Sequence, residues 1–166
     1  MTSVPQNGEH KSYHENGQLN MQEFYQDGKL NEERKEFYDN GQCKMQEFYQ
    51  DGKREGERKS WYDNGQLYEQ EFWRDGKREG ERKIWYANGQ LFEQEFYRGG
   101  KLEGEYKYWY GNGHLGNCYY VRDEDYLKFD LNKKYAMLQV KKWLHRQSLI
   151  PAISPHIISD LINIIY

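Results

Sequence analysis

Apolar and polar residues alternate along most of this chain in short runs, and each run stops at a glycine-bearing pair. In Gly56 to Glu79, GERKSWYDNGQLYEQEFWRDGKRE, aromatic-rich runs flank Asn64-Gly65 and then lead into Asp75-Gly76. Alternation of period two in runs of this length predicts half-buried strands. Asn-Gly recurs at 16–17, 40–41, 64–65, 88–89 and 112–113. Asp-Gly recurs at 27–28, 51–52 and 75–76, with Gly99-Gly100 in the fourth place. Both pairs suit two-residue type I′ hairpins, whose central residues need positive φ. Proline is absent from Gln6 to Ile150, as an uninterrupted ladder requires.

The pattern has a strict period. Gly80 to Glu103 repeats Gly56 to Glu79 at 18 of 24 positions. The unit is also present at 8–31 and 32–55, and is cut short at 104–121. Self-similarity at such a period marks a repeat array. The predicted fold is mostly β: an elongated single-layer antiparallel meander of five units. A lead-in occupies 1–7, the array 8–121, and a helical C-terminal cap 122–166.

Register follows from the turns. A two-residue Asn64-Gly65 turn places Arg58 opposite Glu71, and the same offset places Arg34 opposite Glu47 and Arg82 opposite Glu95. In the last unit both partners change, to Tyr106 opposite Tyr119, as cross-strand packing would require. This register puts Trp61, Tyr68 and Phe72 on one face with Lys59 and Gln70. It puts Tyr62, Leu67 and Trp73 on the other with Arg58 and Glu71. Two-residue Asp-Gly turns would further bring Gly80 under the ring of Trp73, a known repair for a bare strand glycine. Columns such as Tyr13, Phe37, Trp61, Trp85 and Trp109 then stack as ring ladders, and Trp85 is expected in the core.

Composition supports a folded array. Apolar residues reach only 36%, but aromatics alone supply 17%. A disordered chain lacks such rings. Formal charge is -3, with no basic stripe of the kind nucleic acid demands. Lys+Arg against Asp+Glu is 17 to 22 over residues 1–121 and 7 to 5 over 122–166, so the tail is slightly basic. Two distant cysteines, Cys43 and Cys118, suggest no disulfide framework and a reducing compartment. No basic start with an apolar run marks a signal peptide, and no run is long enough to span a membrane. An intracellular, cytoplasmic location is expected.

No constellation of catalytic type is found. Ser is rare, and no Gly-x-Ser-x-Gly, phosphate loop or His-Glu-x-x-His is present. Glu69, Glu71, Glu93 and Glu95 bring carboxylates close, but they belong to the repeated pattern and face arginines, which predicts a solvated, paired surface. His10 and His14 fall in the Arg and Tyr columns, and two strand histidines do not complete a metal site. No enzyme activity, metal or cofactor is expected.

The pattern NGxL…DGKxxG over residues 8–121 resembles the MORN repeat in its variant form, similar to repeats of bacterial proteins and of large DNA viruses of amoebae. A viral source would place the protein in host cytoplasm. The resemblance implies an elongated twisted sheet serving as an interaction platform, often dimeric, and in some members linked to phospholipid membranes. The spacing departs from the standard YxGxWxxGxxxGxG form, and Glu32 replaces the unit-opening Gly in the second copy.

Past Val121 the run RDEDYLKFDLN is charged and turn-like. Lys133 to Gln147 then has a helical period, with Ala136, Met137, Val140, Trp143 and Leu144 in one stripe. A second helix is predicted from Ser154 and Pro155. These helices suit a cap on the array's last strand. Alternatively they dock a partner or a second copy, or Lys134, Lys141, Lys142 and Arg146 meet anionic phospholipid. The expectation is a non-enzymatic protein–protein interaction scaffold, with a peripheral membrane tether as the alternative. The candidate interaction face is Trp61, Tyr68, Phe72, Trp85, Phe92, Phe96 and Trp109, with an unidentified protein, a second copy or an anionic membrane as partner.

Overall fold

The computed structural model describes residues 5–122 and 125–129. Each unit contributes a six-residue strand, an eight-residue strand and a two-residue strand. In order these are β1 (Gly8–Tyr13), β2 (Leu19–Gln26) and β3 (Lys29–Leu30), then β4 (Glu32–Phe37), β5 (Cys43–Gln50) and β6 (Lys53–Arg54). They continue as β7 (Gly56–Trp61), β8 (Leu67–Arg74) and β9 (Lys77–Arg78), then β10 (Gly80–Trp85), β11 (Leu91–Arg98) and β12 (Lys101–Leu102). The shortened copy supplies β13 (Gly104–Trp109) and β14 (Leu115–Arg122), followed by β15 (Asp125–Phe129).

All of these strands form one antiparallel sheet in the order β1-β2-β4-β5-β7-β8-β10-β11-β13-β14-β15, each two-residue strand folding back on the long strand before it. The expected meander is therefore found. The run after Val121 is not turn-like, because Asp125–Phe129 adds a strand beside β14. The chain divides into Met1–Leu127 and Lys128–Tyr166. The two predicted helices and the basic residues Lys134, Lys141, Lys142 and Arg146 lie outside the described residues.

The two turns differ in kind. Asp75 (φ 50) and Gly76 (φ 75) both have positive φ, and Arg74 pairs with Lys77. That is the expected two-residue type I′ turn. At Asn64-Gly65 only the glycine has positive φ, at 82. Gly65 N donates to Tyr62 O at 3.0 Å, Tyr62 N to Gln66 O at 2.8 Å, and Gln66 N to Asn64 Oδ1 at 3.0 Å. The loop therefore holds three residues, Asp63, Asn64 and Gly65, with glycine at the left-handed end. Asn accepts this role because its side chain closes an Asx turn on the backbone.

A longer loop should have shifted the register by one, yet Arg58 does face Glu71, Arg34 faces Glu47, Arg82 faces Glu95 and Tyr106 faces Tyr119. A β-bulge cancels the extra residue. Ser60 pairs with Glu69 but Trp61 pairs with Leu67, leaving Tyr68 as the inserted residue. The same shift recurs between Ser12 and Tyr13, Glu36 and Phe37, and Ile84 and Trp85.

Between the two-residue strand and the next unit the chain bends at a left-handed residue: Gly56 (φ 86), Gly80 (φ 87) and Gly104 (φ 116). A Cβ on Gly56 or Gly80 would meet nothing within 4 Å. Gly80 is thus not covered by the ring of Trp73, which pairs instead with Gly56. Backbone conformation, not ring cover, accounts for glycine here.

Successive units are tied at both edges. On one, the Tyr38 hydroxyl donates to Trp61 O, Tyr62 to Trp85 O and Tyr86 to Trp109 O, at 2.7, 2.7 and 2.9 Å. His14 Nε2 takes the same place 2.9 Å from Phe37 O. On the other edge Gly52, Gly76 and Gly100 N donate to Leu30, Arg54 and Arg78 O of the preceding unit, at 2.8, 2.9 and 2.9 Å.

Candidate interaction face

The bulge divides the ring residues between two faces. Phe72 pairs with Glu57, Gln70 with Lys59 and Leu67 with Trp61, so Trp61, Leu67 and Phe72 stand together. By the same pairing Trp85, Leu91 and Phe96 do so one unit later, and Trp109 stands with Leu115. Tyr68 and Phe92 do not join them. Tyr68 meets the ring of Tyr62 edge-on at 5.1 Å, and Phe92 meets Tyr86 at 5.0 Å and Tyr108 at 5.3 Å. Tyr108 pairs with Glu93, which sets Phe92 on the carboxylate side. The single seven-residue face expected above is thus corrected: five of its rings share one side, while Tyr68 and Phe92 lie on the other. Leu67 likewise moves to the side of Trp61.

The first side is a ring face. Its rings flank a polar row made once per unit, in which Lys59 bonds Glu57 at 2.7 Å and Lys83 bonds Glu81 at 2.5 Å. Gln46 Nε2 donates to Glu33 at 2.5 Å, and Gln70 and Gln94 donate to Glu57 and Glu81. Phe48 is 38% exposed and Phe72 40%. Phe48 also borders an open depression of about 480 Å³ shared with Asn31, Glu32, Tyr49, Asp51 and Glu55. Trp85, expected in the core, is only half-buried.

The second side is a ladder of charges, and it is the better buried. Glu47 is 1% exposed and Glu71 2%, whereas the buried apolar side chains among the described residues are Ile84, Cys118 and Val121. The carboxylates expected from the sequence to be solvated and paired are therefore paired with arginines as expected, but Glu69, Glu71 and Glu95 are buried. Glu47 accepts from Arg34 at 2.8 Å, Arg54 at 2.8 Å and the Tyr49 hydroxyl at 2.9 Å. Glu71 accepts from Arg58 at 3.0 Å and Arg78 at 2.7 Å. Arg82 reaches Glu69 at 2.6 Å, Glu93 at 3.2 Å and Glu95 at 2.6 Å. The guanidinium groups of Arg54 and Arg78 lie over the ring of Trp73, at 5.0 and 5.5 Å from its centroid.

Burial alone would raise the pKa of Glu47, but Arg54, Tyr49 and Arg34 outweigh it, and the carboxyl is held below its ordinary value. Glu69 is lowered in the same way, against burial, by Arg58 and Arg82. Arg82 is raised: burial acts against its charge, and Glu95 and Glu69 overcome it. A buried charge is tolerated only when paired and hydrogen-bonded, and here nearly every oxygen is used. Arg54 and Arg78 belong to this ladder, which the sequence reading did not assign. Their place on the folded-back strands beside Tyr49 and Trp73 is the signal that would have found them.

Among the described residues no group of His, Cys, Asp and Glu could hold a metal ion. No helix among the described residues is long and apolar enough to cross a membrane. Cys43 pairs with Phe37, and burial pushes its thiol up.

No curated protein matches the sequence. The family model for the MORN repeat variant matches residues 6–27, 33–51, 54–75 and 78–98, each match closing at or just before a glycine turn. Residues 104–121 fall outside those matches but form the same hairpin, β13 with β14. With about half of its residues under the model and its hairpins built to one plan, the chain belongs to the MORN repeat variant family.

Proposed function

We propose that this protein is a non-enzymatic protein–protein interaction scaffold that binds through its ring face. The observation that carries the reading is the contrast between the two sides. On the ladder side Tyr68 is also exposed, but most carboxylate oxygens there already accept from arginines or tyrosines, so fewer polar groups are left beside a ring to recognise a partner. On the ring side, exposed rings at Phe48 and Phe72 lie beside a recurring Glu–Lys–Gln row. Rings with polar neighbours are the usual composition of interface anchors. Family arrays commonly serve as binding scaffolds, which agrees with this use.

The test is a crosslinked pull-down from the native source with the wild-type chain and with Phe48→Ala/Phe72→Ala. The double variant should stay folded with a modestly lowered melting temperature, since each ring is only about two-fifths exposed, and should lose the partners that wild type retains at a temperature where both are fully folded. Retention of the same partners by the double variant would refute the ring face as the binding surface.

A further inference from the structure

Among the described residues the array opens in mid-unit. Elsewhere each Asp-Gly turn is held by the end of the preceding unit: Gly52 N by Leu30 O and Asp51 N by the Asn31 side chain, at 2.8 and 3.3 Å. In the first unit Gln6 O and the Asn7 side chain take those two places, at 2.7 and 2.8 Å. Residues 6–7 thus take the place that a preceding unit's short-strand end holds elsewhere. Its long strand has no substitute among the described residues. The counterparts of Lys11 and Ser12 pair with such a strand in every later unit, as Lys35 with Gln22, Lys59 with Gln46 and Lys83 with Gln70. On β1 that outer edge is open among the described residues.

The side chains indicate what a strand there would carry. The arginines on the six-residue strands bridge two units: Arg34 reaches Glu47 of its own unit and Glu23 of the one before, and Arg82 reaches Glu95 and then Glu69. His10 occupies that column at the head. Its Nδ1 lies 3.1 Å from Glu23 of its own unit, and its Nε2 is buried without a hydrogen-bond partner. The position that a preceding carboxylate fills elsewhere is therefore unmet.

We propose that β1 accepts an extended acidic strand from another protein by β-augmentation, pairing at Lys11 and Ser12 and presenting a carboxylate to His10. The pattern at that register in later units is Met or Glu, then Gln, then Glu: 21–23, 45–47, 69–71 and 93–95. Among the described residues a second copy of this chain offers no free strand of that pattern. All four of its segments of that pattern are already paired on both sides, and the shortened fifth copy has Asn-Cys-Tyr there, with β15 beside it. This edge is separate from the ring face, so either reading can fail alone.

The experiment titrates the full chain with a synthetic peptide of residues 18–27, QLNMQEFYQD, blocked at both ends. Binding is followed by calorimetry and by the NMR signals of the His10 ring. Saturable binding that shifts the ring signals is expected, weakened at least tenfold by Glu23→Gln in the peptide or His10→Leu in the chain. The peptide variant keeps the test valid should the chain variant fold poorly. No saturable binding at millimolar peptide would overturn the proposal, as would binding indifferent to both substitutions. Sedimentation as a dimer that His10→Leu disperses would overturn it too, because the occupant would then be a second copy.

Discussion

Arg58 holds Glu71 at 3.0 Å across the β7–β8 pair while the same nitrogen lies 2.6 Å from Glu69, so one guanidinium joins two carboxylates that are almost fully buried. Removing one member of such a cluster strands the other charges out of water. Arg58→Met should therefore lower stability by roughly 3–5 kcal/mol. Trp85→Ala should cost less, about 1–3 kcal/mol, because that ring is half-buried on the ring face. Urea denaturation of both variants decides the order. A larger loss for Trp85→Ala would return the weight of the fold to its rings.

The same ladder fixes how stability follows pH. Glu47 and Glu69 have pKa values held below 4.5 in the fold. They are more readily ionised folded than unfolded, so their contribution is complete above the unfolded value and is lost as pH falls through the lowered ones. Tyr25 and Tyr97 behave oppositely. Burial first, then Glu23 or Glu95, pushes each from 10.0 up to about 12. Their contribution is complete below 10 and is lost as pH rises toward 12. Midpoints of urea unfolding should fall below about pH 4.5 and again above about pH 10. Tyrosine absorbance should show a late-titrating class that merges with the rest in urea. A single unshifted titration would contradict the hydroxyl-to-carboxylate bonds.

Turn positions, strand pairing and the Arg–Glu partners were all legible in the sequence, but the register was right for a wrong reason. Asn-Gly serves both a two-residue turn and the glycine end of a three-residue turn, and only the bulge at Tyr68 brings the pairing back. That bulge moves Tyr68 and Phe92 across the sheet, so a face drawn by strict alternation mixes two surfaces. Adjacent apolar residues at Leu67-Tyr68 and Leu91-Phe92 break the alternation and are the visible trace of it. The buried carboxylates were harder to see. Glutamate in a strand reads as solvated unless donors are counted from three strands at once, and Arg54 and Arg78 enter that count only after the short strands fold back.

Left-handed backbone at the unit openings supplies a further test. Glu32 holds φ 68 where the following units have glycine at 86, 87 and 116. A residue with a Cβ loses about 1–2 kcal/mol in that region. Glu32→Gly should raise stability by about 1 kcal/mol, part of the gain being offset by a more flexible unfolded chain. Gly80→Ala should lower it by a similar amount although its Cβ would meet nothing. Thermal melts of the two variants must move in opposite directions. Two unchanged melts would mean that the bend relaxes at no cost.

Gly116 departs from the array for a different reason. It stands where other units place Tyr68 and Phe92, and its φ is not in the left-handed region. A Cβ there would lie 2.7 Å from Tyr108 Cδ1 and 3.0 Å from Tyr110 Cε2. Tyr108 itself replaces Ser60 of the third unit, and its ring meets those of Phe92 and Tyr110, both at 5.3 Å. The two changes are therefore coupled: the large residue at 108 occupies the space that a side chain at 116 would need. Gly116→Tyr alone should destabilise by about 1–3 kcal/mol through overpacking. Tyr108→Ser alone should also destabilise, because the contact with Phe92 is lost. Together they recreate the third unit's arrangement, and the double variant should be more stable than the sum of the two single losses predicts, by at least about 1 kcal/mol. Additive losses in a four-variant denaturation cycle would show that the two positions do not share this space.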